Sequence, residues 1–412
     1  MKKALGLLAV LALGSVAFAK ETLTITCFTN LNESVEAAIP LWKKANPDVD
    51  IKVNALNYGD HHNGLTTALA SGNGAGDVAC VEIGFVARFG ESGGLEDLSK
   101  APYNAKQYQN QVTAYAWAQA TNPDGNMFVL PVDIAPGTLF YRSDILSKAG
   151  VSTGALTKSW DSFIDAGKKI KDKTGAYLLH NAGFIAQTYI RANIPAGENL
   201  YFDAKGNPVL NSARFVQALT LAKKARDLKL DMNIGEWSPE WTDALNKGKV
   251  ATQPFGAWFE GTMRGMVPDT AGKWRAADLP GKNYATWGGS FMAIPKQSKN
   301  KALAWEFIKF FALNKDVQLN SFKTISALPS LKAAQKDPIF SQPVAFLGNQ
   351  KARPMWVNAA NKTKAIDANK FDQVASDALG AAINKVLNDG ADIKAALDEA
   401  QTAVERRVKR GN

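Results

Sequence analysis

The side chains in this sequence that are best suited to binding or catalysis are tryptophans, carboxylates and one pair of histidines. The chain has ten tryptophans, and Trp287 directly precedes Gly288 and Gly289. Two glycines beside a large aromatic ring predict a place where a ligand or a second backbone segment comes close. The alternative is an ordinary β-turn-α unit. Aromatic faces combined with hydrogen-bonding carboxylates favour binding of a molecule that has both apolar patches and polar edges.

Asp60, His61 and His62 raise the question of a metal site. Adjacent histidines point in opposite directions on a strand and about 100° apart on a helix, so both would not bind one ion and we predict no metal. The sequence contains no H-E-x-x-H or phosphate-loop motif. No spacing along the chain places two carboxylates together, as a glycoside hydrolase requires. We therefore predict neither an enzyme nor a cofactor.

The first 19 residues have the features of a cleavable secretory signal peptide. Two lysines precede an apolar stretch at residues 4–16, and an A-x-A cleavage signal occupies residues 17–19. The apolar stretch is too short to span a bilayer. Cleavage would make Lys20 the first mature residue, and the absence of a cysteine there gives no indication of a lipid anchor. We expect a periplasmic or extracellular protein.

The length and charge of the chain limit the remaining classes. A chain of 412 residues is too long for one compact core and predicts two domains. The net charge of +10 is spread along the chain, and its densest basic runs, at residues 168–171 and 406–410, lie on helical patterns. Such runs are typical of solvated helix faces, so we expect no nucleic-acid partner.

The two cysteines, Cys27 and Cys80, lie in short apolar runs that predict strands. An exported compartment permits a disulfide. A bridge between adjacent parallel strands is geometrically awkward, however. We therefore favour two buried free thiols and keep a disulfide as the alternative.

The N-terminal part alternates between strand and helix patterns. Strands are predicted at residues 22–28, 49–56 and 77–83, and helices begin near residues 34 and 60. This alternation predicts a parallel, doubly wound α/β sheet, whose ligands lie beyond the carboxyl ends of the strands. The residues at those ends are Asn30, Asn32, Tyr58, Asp60, Glu82, Gly84 and Phe85.

Two later stretches share a strand-and-helix pattern. Residues 127–149 read as a strand, a segment with Pro131 and Asp133, a second strand and a helix. In residues 284–312, the Trp-Gly-Gly segment precedes an apolar run at residues 291–294, and a helix follows.

Four stretches, in this order, resemble the extracellular solute-binding proteins of ABC importers, the family that includes maltose-binding protein. They are GDHHNGLTTALASGNGAGDVACVEIGFVARFGESGGLEDLS, LPVDIAPGTLFYRSDILSKAGV, SWDSFIDAGKKIKD and GGSFMAIPKQSKNKALAWEFIKFF. Together they span most of residues 20–313, whereas the C-terminal part matches loosely.

The resemblance implies an α/β fold of the type II periplasmic binding protein class, with two discontinuous lobes joined by crossing hinge strands. The N-terminal lobe would be residues 20–132 plus 292–328, and the C-terminal lobe residues 133–291 plus 329–412. The chain would cross between lobes near residues 131–137, 291–294 and 328–331.

The resemblance also implies a function. The protein would be a monomer that binds a mono- or oligosaccharide with high affinity in the interlobe cleft, closes around it, and delivers it to the transmembrane permease of an ABC importer. The alternatives are a non-sugar ligand, such as a glycerol phosphate ester, a polyamine or a peptide, and an exported glycoside hydrolase. A phosphate ligand would use Arg88, Arg264 or Arg353, and a polyamine would use Glu82, Asp133 or Glu260.

The resemblance and the strand ends together give a predicted ligand-binding set. Trp258, in PFGAWFE, resembles the aromatic residue that the family places in its cleft, and Glu82 and Asp133 would accept hydroxyl hydrogen bonds. Each aromatic could instead belong to a core, and each carboxylate could pair with a structural partner. The full set is Asn30, Asp60, Glu82, His62, Phe85, Asp133, Trp258, Trp287, Gly288, Gly289, Arg353 and Trp356.

Overall fold

A computed structural model describes residues 20–411, which form two groups of helices and strands, each built around its own sheet. The predicted signal peptide, residues 1–19, lies outside the described residues. Within residues 20–411, no helix is both long enough and apolar enough to cross a membrane.

The strands are β1 (Glu21–Phe28), β2 (Val49–Leu56), β3 (Val78–Glu82), β4 (Leu130–Pro131), β5 (Asp133–Ile134), β6 (Gly137–Arg142), β7 (Thr252–Gly256), β8 (Trp274–Ala277), β9 (Ser290–Ala293) and β10 (Leu328–Pro329). The helices are α1 (Leu31–Ala45), α2 (Tyr58–Ser71), α3 (Ile83–Glu91), α4 (Ala114–Ala120), α5 (Ser143–Ala149), α6 (Thr153–Thr157), α7 (Trp160–Thr174), α8 (Gly183–Ala192), α9 (Ala213–Asp227), α10 (Pro239–Asn246), α11 (Phe259–Met266), α12 (Lys301–Leu313), α13 (Lys315–Ile325), α14 (Lys332–Gln335), α15 (Arg353–Lys362), α16 (Asp372–Asn388) and α17 (Ile393–Gly411).

The N-terminal sheet has the strand order β2-β1-β3-β9-β4. Alternation along β1 buries Leu23, Ile25 and Cys27, as expected for a strand with one face on a core. β1 runs parallel to β2 and β3, but β9 runs antiparallel to both of its neighbours. The predicted all-parallel sheet is therefore mixed, because the chain returns into it from the second group of elements.

The C-terminal sheet has the order β7-β6-β8, and both pairings are antiparallel. Its central strand β6 is buried along its whole length. Helix α15 packs on this strand, and helices α16 and α17 pack on α9. The last 60 or so residues of the chain thus complete this second group.

The chain passes between the two groups three times. The first passage, residues 132–137, runs beside the second, residues 285–290, through hydrogen bonds from Val132 N to Ser290 O (2.9 Å) and from Gly137 N to Ala285 O (2.8 Å). The third passage contains β10, which pairs with β5.

The second passage corrects one prediction. Residues 291–294 were expected to form the crossing, but Phe291, Met292, Ala293 and Ile294 are fully buried in the N-terminal group. Their apolar side chains belong to the sheet, and residues 285–290 before them make the passage. Which segments move together, and hence the lobe boundaries given above, remains a prediction.

Cys27 and Cys80 form a disulfide, so the favoured prediction of two free thiols was wrong. The pairing of β1 with β3 ends at Thr26 and Ala79, and the two cysteines follow directly. Their Cα atoms are 4.8 Å apart. At the end of the ladder the side chains of neighbouring strands can turn toward each other, which sequence spacing alone did not reveal.

Candidate functional site

A cleft of about 840 Å³ lies between the two groups of elements, and both groups contribute to its walls. Its volume falls in the range of typical small-molecule sites. The N-terminal side includes Asn30, Tyr58 and Glu82, and the C-terminal side includes Arg191 and Trp237. The passages between the groups form its floor.

Gly288 and Gly289 lie in that floor. Their φ angles are 102° and 135°, a region that residues with a side chain rarely adopt. A Cβ atom on Gly288 would lie 3.8 Å from a carboxylate oxygen of Glu82 and 3.7 Å from Nε1 of Trp258. These are ordinary contact distances, so the backbone conformation, rather than crowding, requires glycine here.

Trp258 and Trp287 both line the cleft, and they are joined to each other. Nε1 of Trp258 donates a hydrogen bond to the carbonyl of Trp287 (3.0 Å). The ring of Trp287 is only 9% exposed, because Phe184 and the guanidinium of Arg191 pack against it at 5.7 and 5.2 Å. Trp287 therefore offers a ligand little open ring and instead supports a cationic side chain.

The open aromatic faces belong to Trp237 and Tyr58, which are 55% and 46% exposed. Trp237 stacks on Trp258 with 6.2 Å between ring centroids. Its φ angle is 65°, which is unusual for a bulky residue and is often found at functional sites. In the sequence, Tyr58 is predicted only as a strand-end residue and Trp237 has no predicted role, because the exposure of both side chains depends on the fold.

Glu82 faces the cleft at the end of β3. One carboxylate oxygen accepts hydrogen bonds from the Tyr58 hydroxyl (3.0 Å) and the Gly84 amide (2.8 Å). Burial raises the pKa of Glu82 above its usual value, and these hydrogen bonds oppose the rise. The geometry holds one acceptor next to the open face of Tyr58.

Asp133 lies at the floor of the cleft and is 7% exposed. Its Oδ1 accepts a hydrogen bond from the Ser290 amide (2.9 Å), which ties the first passage to the start of β9. Burial raises the pKa of Asp133 to about 6. Its position fits the structural alternative as well as the ligand-binding one.

Asn30 ends the turn after β1 and also lines the cleft. Its φ angle is 88°, and its side chain makes no capping hydrogen bond to α1. Together with its ψ angle of −61°, this φ lies outside the left-handed helical region and is rare for a residue with a side chain.

His62 and Phe85 are buried behind the cleft. Their rings stack with 4.1 Å between centroids. His62 accepts the Glu82 amide at Nε2 (3.2 Å), and its Nδ1 bonds to the Tyr58 carbonyl (2.7 Å). Burial lowers the pKa of His62 to about 4. This residue therefore positions two cleft residues without facing the cleft.

Asp60, Arg353 and Trp356 are not brought into the cleft. Asp60 pairs with Asn57, which caps the start of α2. The guanidinium of Arg353 donates to the Ile339 carbonyl (2.8 Å), and Trp356 is 1% exposed in the C-terminal core. Their expected ligand-binding roles rested on their positions along the chain. In the structure, helix capping, a backbone hydrogen bond and core packing account for these three side chains instead. No group of three or more potential ligands within residues 20–411 is arranged to hold a metal ion.

Comparison with known proteins places these features in context. The model of the family described as "Bacterial extracellular solute-binding protein" matches residues 28–318, which is more than half of the chain. An arabinooligosaccharide-binding protein of Bacillus subtilis is 29% identical over 70% of this chain and 68% of its own length. A lactose-binding protein of Rhizobium radiobacter is 26% identical over 86% of this chain and 84% of its own length.

Solved structures confirm the fold class. An ABC transporter associated binding protein of B. animalis subsp. lactis, solved with β-1,6-galactobiose, superposes with a TM-score of 0.80 at 23% identity, over 95% of this chain and 98% of that one. The sugar-binding protein MalE of Xanthomonas citri gives a TM-score of 0.76 at 22% identity, over 94% and 98%. The predicted two-lobed, type II arrangement is the arrangement of these proteins.

Proposed function

We infer the function of this chain from one premise, that it belongs to the family of bacterial extracellular solute-binding proteins. We propose that it binds a carbohydrate in the cleft between its lobes and delivers it to the transmembrane permease of an ABC importer. The names of its relatives support this, since they include binding proteins for arabinooligosaccharides and lactose.

One observation favours a carbohydrate over the other ligand classes. Two exposed aromatic faces, Trp237 and Tyr58, line the same cleft as the carboxylate of Glu82. A sugar ring has apolar C–H patches that pack on aromatic faces and hydroxyl edges that hydrogen-bond to planar polar groups. The proposed ligand-binding set is Asn30, Tyr58, Glu82, Asp133, Trp237, Trp258, Trp287, Gly288 and Gly289.

The lobes would close around the ligand by hinge motion at the three passages. Ligand binding can drive this closure only to the extent that the ligand binds the closed state more tightly than the open one. The closed, liganded monomer would be what the permease recognises. The protein would act outside the cytoplasm, after removal of the predicted signal peptide, and would catalyse no reaction.

The test is calorimetric titration with neutral mono-, di- and oligosaccharides, including lactose and arabinotriose, with tryptophan fluorescence recorded in parallel. We expect micromolar or tighter binding to at least one saccharide and a fluorescence change on binding. Trp237→Ala should weaken that binding by about tenfold, because an open stacking face is lost.

Leu228→Ala is the matched control, since Leu228 is also exposed (41%) but does not line the cleft. Its affinity should equal that of the unmodified protein. Absence of binding to every saccharide would refute the proposal. Release of product from a chromogenic glycoside would favour the glycoside hydrolase instead.

A further inference from the structure

Arg191 is the cationic side chain at the centre of the cleft. It lies near the end of α8, and its guanidinium sits over the ring of Trp287 at 5.2 Å. Its Nε is buried and has no hydrogen-bond partner within residues 20–411. Leaving a buried donor without a partner is unfavourable, so this group is available to a partner that residues 20–411 do not supply.

The second cation in the cleft wall differs from Arg191. The ammonium of Lys364 already donates to the backbone carbonyls of Pro195 and Glu198. These bonds hold Lys364 to the loop after α8, at the edge of the cleft. Of these two cations, Arg191 is thus the one with a donor, Nε, that has no partner within residues 20–411.

Two carboxyl groups face Arg191 from different parts of the chain. Glu82 comes from the N-terminal lobe, and Asp372 is the first residue of α16 in the C-terminal lobe. Burial raises the pKa of Glu82 and raises that of Asp372 to about 7, and the positive charge of Arg191 opposes both shifts. All three side chains also line the same cleft, so one ligand can reach all of them.

We propose that Arg191, Glu82 and Asp372 form one polar subsite for neighbouring hydroxyl groups of an uncharged sugar ring, with Arg191 as donor and the carboxylates as acceptors. This inference rests on the proposed carbohydrate function and narrows it. The planar guanidinium presents several N–H donors in a fixed geometry, which suits adjacent oxygens better than a lysine would. Hydrogen bonds to ionised partners are also stronger than neutral ones.

The balance of charge favours an uncharged ligand over an acidic one. The subsite has one guanidinium and two carboxyl groups, and the rest of the cleft lining has three more carboxyl groups (Asp133, Glu236 and Asp367) and one ammonium, Lys364. At this subsite a uronic acid or a sugar phosphate would gain one attractive contact, to Arg191, and would meet two carboxyl groups that repel it when they are ionised. A hydroxyl group can donate to a carboxylate while it accepts from the guanidinium, so a neutral sugar satisfies all three side chains at once.

The experiment compares a panel of neutral saccharides with matched uronic acids and sugar phosphates, using the full chain and isothermal titration. For the neutral saccharide that binds best, we expect Arg191→Met to weaken binding by at least about tenfold and Arg191→Lys to recover part of the loss. We expect Asp372→Asn, which keeps the size of the side chain, to weaken binding as well.

The control is Arg407→Met, which removes one positive charge from the exposed face of α17 at a residue that does not line the cleft. It should leave the affinity unchanged. Unfolding in urea reports whether each variant is folded.

The alternatives give distinct results. If neutral saccharides bind the unmodified protein and Arg191→Met equally well, the subsite is refuted while the carbohydrate function stands. If the unmodified protein prefers a uronic acid or sugar phosphate, and Asp372→Asn tightens that binding by removing repulsion, the neutral-ligand inference is refuted. If nothing in the panel binds, the proposed function fails and the subsite fails with it.

Discussion

Buried ionisable residues near the cleft respond to pH in opposite directions. Burial raises the pKa of Asp133 to about 6 and of Asp372 to about 7, so both carboxyls favour the protonated form in the folded state. Burial lowers the pKa of His62 to about 4, so this imidazole favours the neutral form. As pH falls from 7 to 4, the carboxyls favour folding and the histidine opposes it. Single variants are needed to separate these contributions.

Asp372→Asn should become more stabilising, relative to the unmodified protein, as pH rises from 5 to 8. The raised pKa of Asp372 contributes stability that is fully present below its unfolded value near 4 and is lost as pH rises through about 7. Asparagine has no such loss. The measurement is the free energy of unfolding in urea, without ligand, at both pH values. Asp377→Asn, on the exposed face of the same helix, is the control; an equal pH trend in both variants would contradict the prediction.

The residues of the site were only partly predictable from the sequence. Glu82 and Gly288 follow from strand-end and glycine rules, because those rules concern the local backbone. Arg191 was missed because its role depends on Trp287, which is distant in sequence and adjacent only in the fold. Trp356 was misplaced because a tryptophan on a helix looks the same in sequence whether its face meets a cleft or a core.

At the scale of elements, the second passage depends on glycine. Gly289→Ala should lower the free energy of unfolding by roughly 1–2 kcal/mol, because alanine is strained at a φ of 135°. Space is not the obstacle, since the nearest atom to an added Cβ is 3.7 Å away. Gly64→Ala, in the exposed middle of α2 with no atom within 4 Å, is the control. It should stabilise the protein by about 0.5–1 kcal/mol, and a similar gain for Gly289→Ala would contradict this account.

The disulfide fastens the ends of β1 and β3, the strands that lead to Asn30 and Glu82. Cys27 and Cys80 are 53 residues apart in sequence, so the bond should stabilise the fold by about 4 kcal/mol if it acts mainly by limiting the unfolded chain. Replacing both cysteines with alanine should therefore lower the urea midpoint. An unchanged midpoint would show that the two sulfurs are not bonded in solution.

The positions of individual strands along the chain were predicted better than the directions in which the strands run in the sheet. The strand patterns at residues 22–28 and 49–56 nearly coincide with β1 and β2, because alternation of apolar and polar residues is a local property. The antiparallel direction of β9 (Ser290–Ala293) could not be read from the apolar run at residues 291–294. Direction depends on where the chain comes from, and a fully buried run gives no facial pattern to orient it.

At the scale of the whole molecule, the two groups of elements are in contact at the edges of the cleft. Ser326, just after α13, donates to Glu260 on α11 (2.7 Å). Lys370 pairs with Glu91 at the end of α3 (3.3 Å). Beside the first contact, a Cβ on Gly261 would lie 2.9 Å from the Ile325 carbonyl, which is too close without movement of the backbone.

Gly261→Ala should therefore hinder closure and weaken ligand binding by at least about tenfold, equivalent to 1.4 kcal/mol, with little change in stability. Gly265→Ala is the control, because Gly265 lies one turn further along the same helix with open space around it. Titration gives the affinity, and small-angle X-ray scattering with ligand reports closure. Equal affinity in the two variants would show that the lobes do not approach at Gly261.

The position of β9 has a consequence for how the chain folds as it is made. β4 lies at the edge of the N-terminal sheet, and β9 is its strand partner there. A chain that emerges from its N-terminus cannot complete this sheet until Ser290 has emerged, by which time most of the other lobe has been synthesised. The C-terminal lobe is completed later still, because α16 and α17 are the last helices to be synthesised. Neither half of the molecule is an uninterrupted stretch, so a cut at any single point leaves at least one fragment without a complete core.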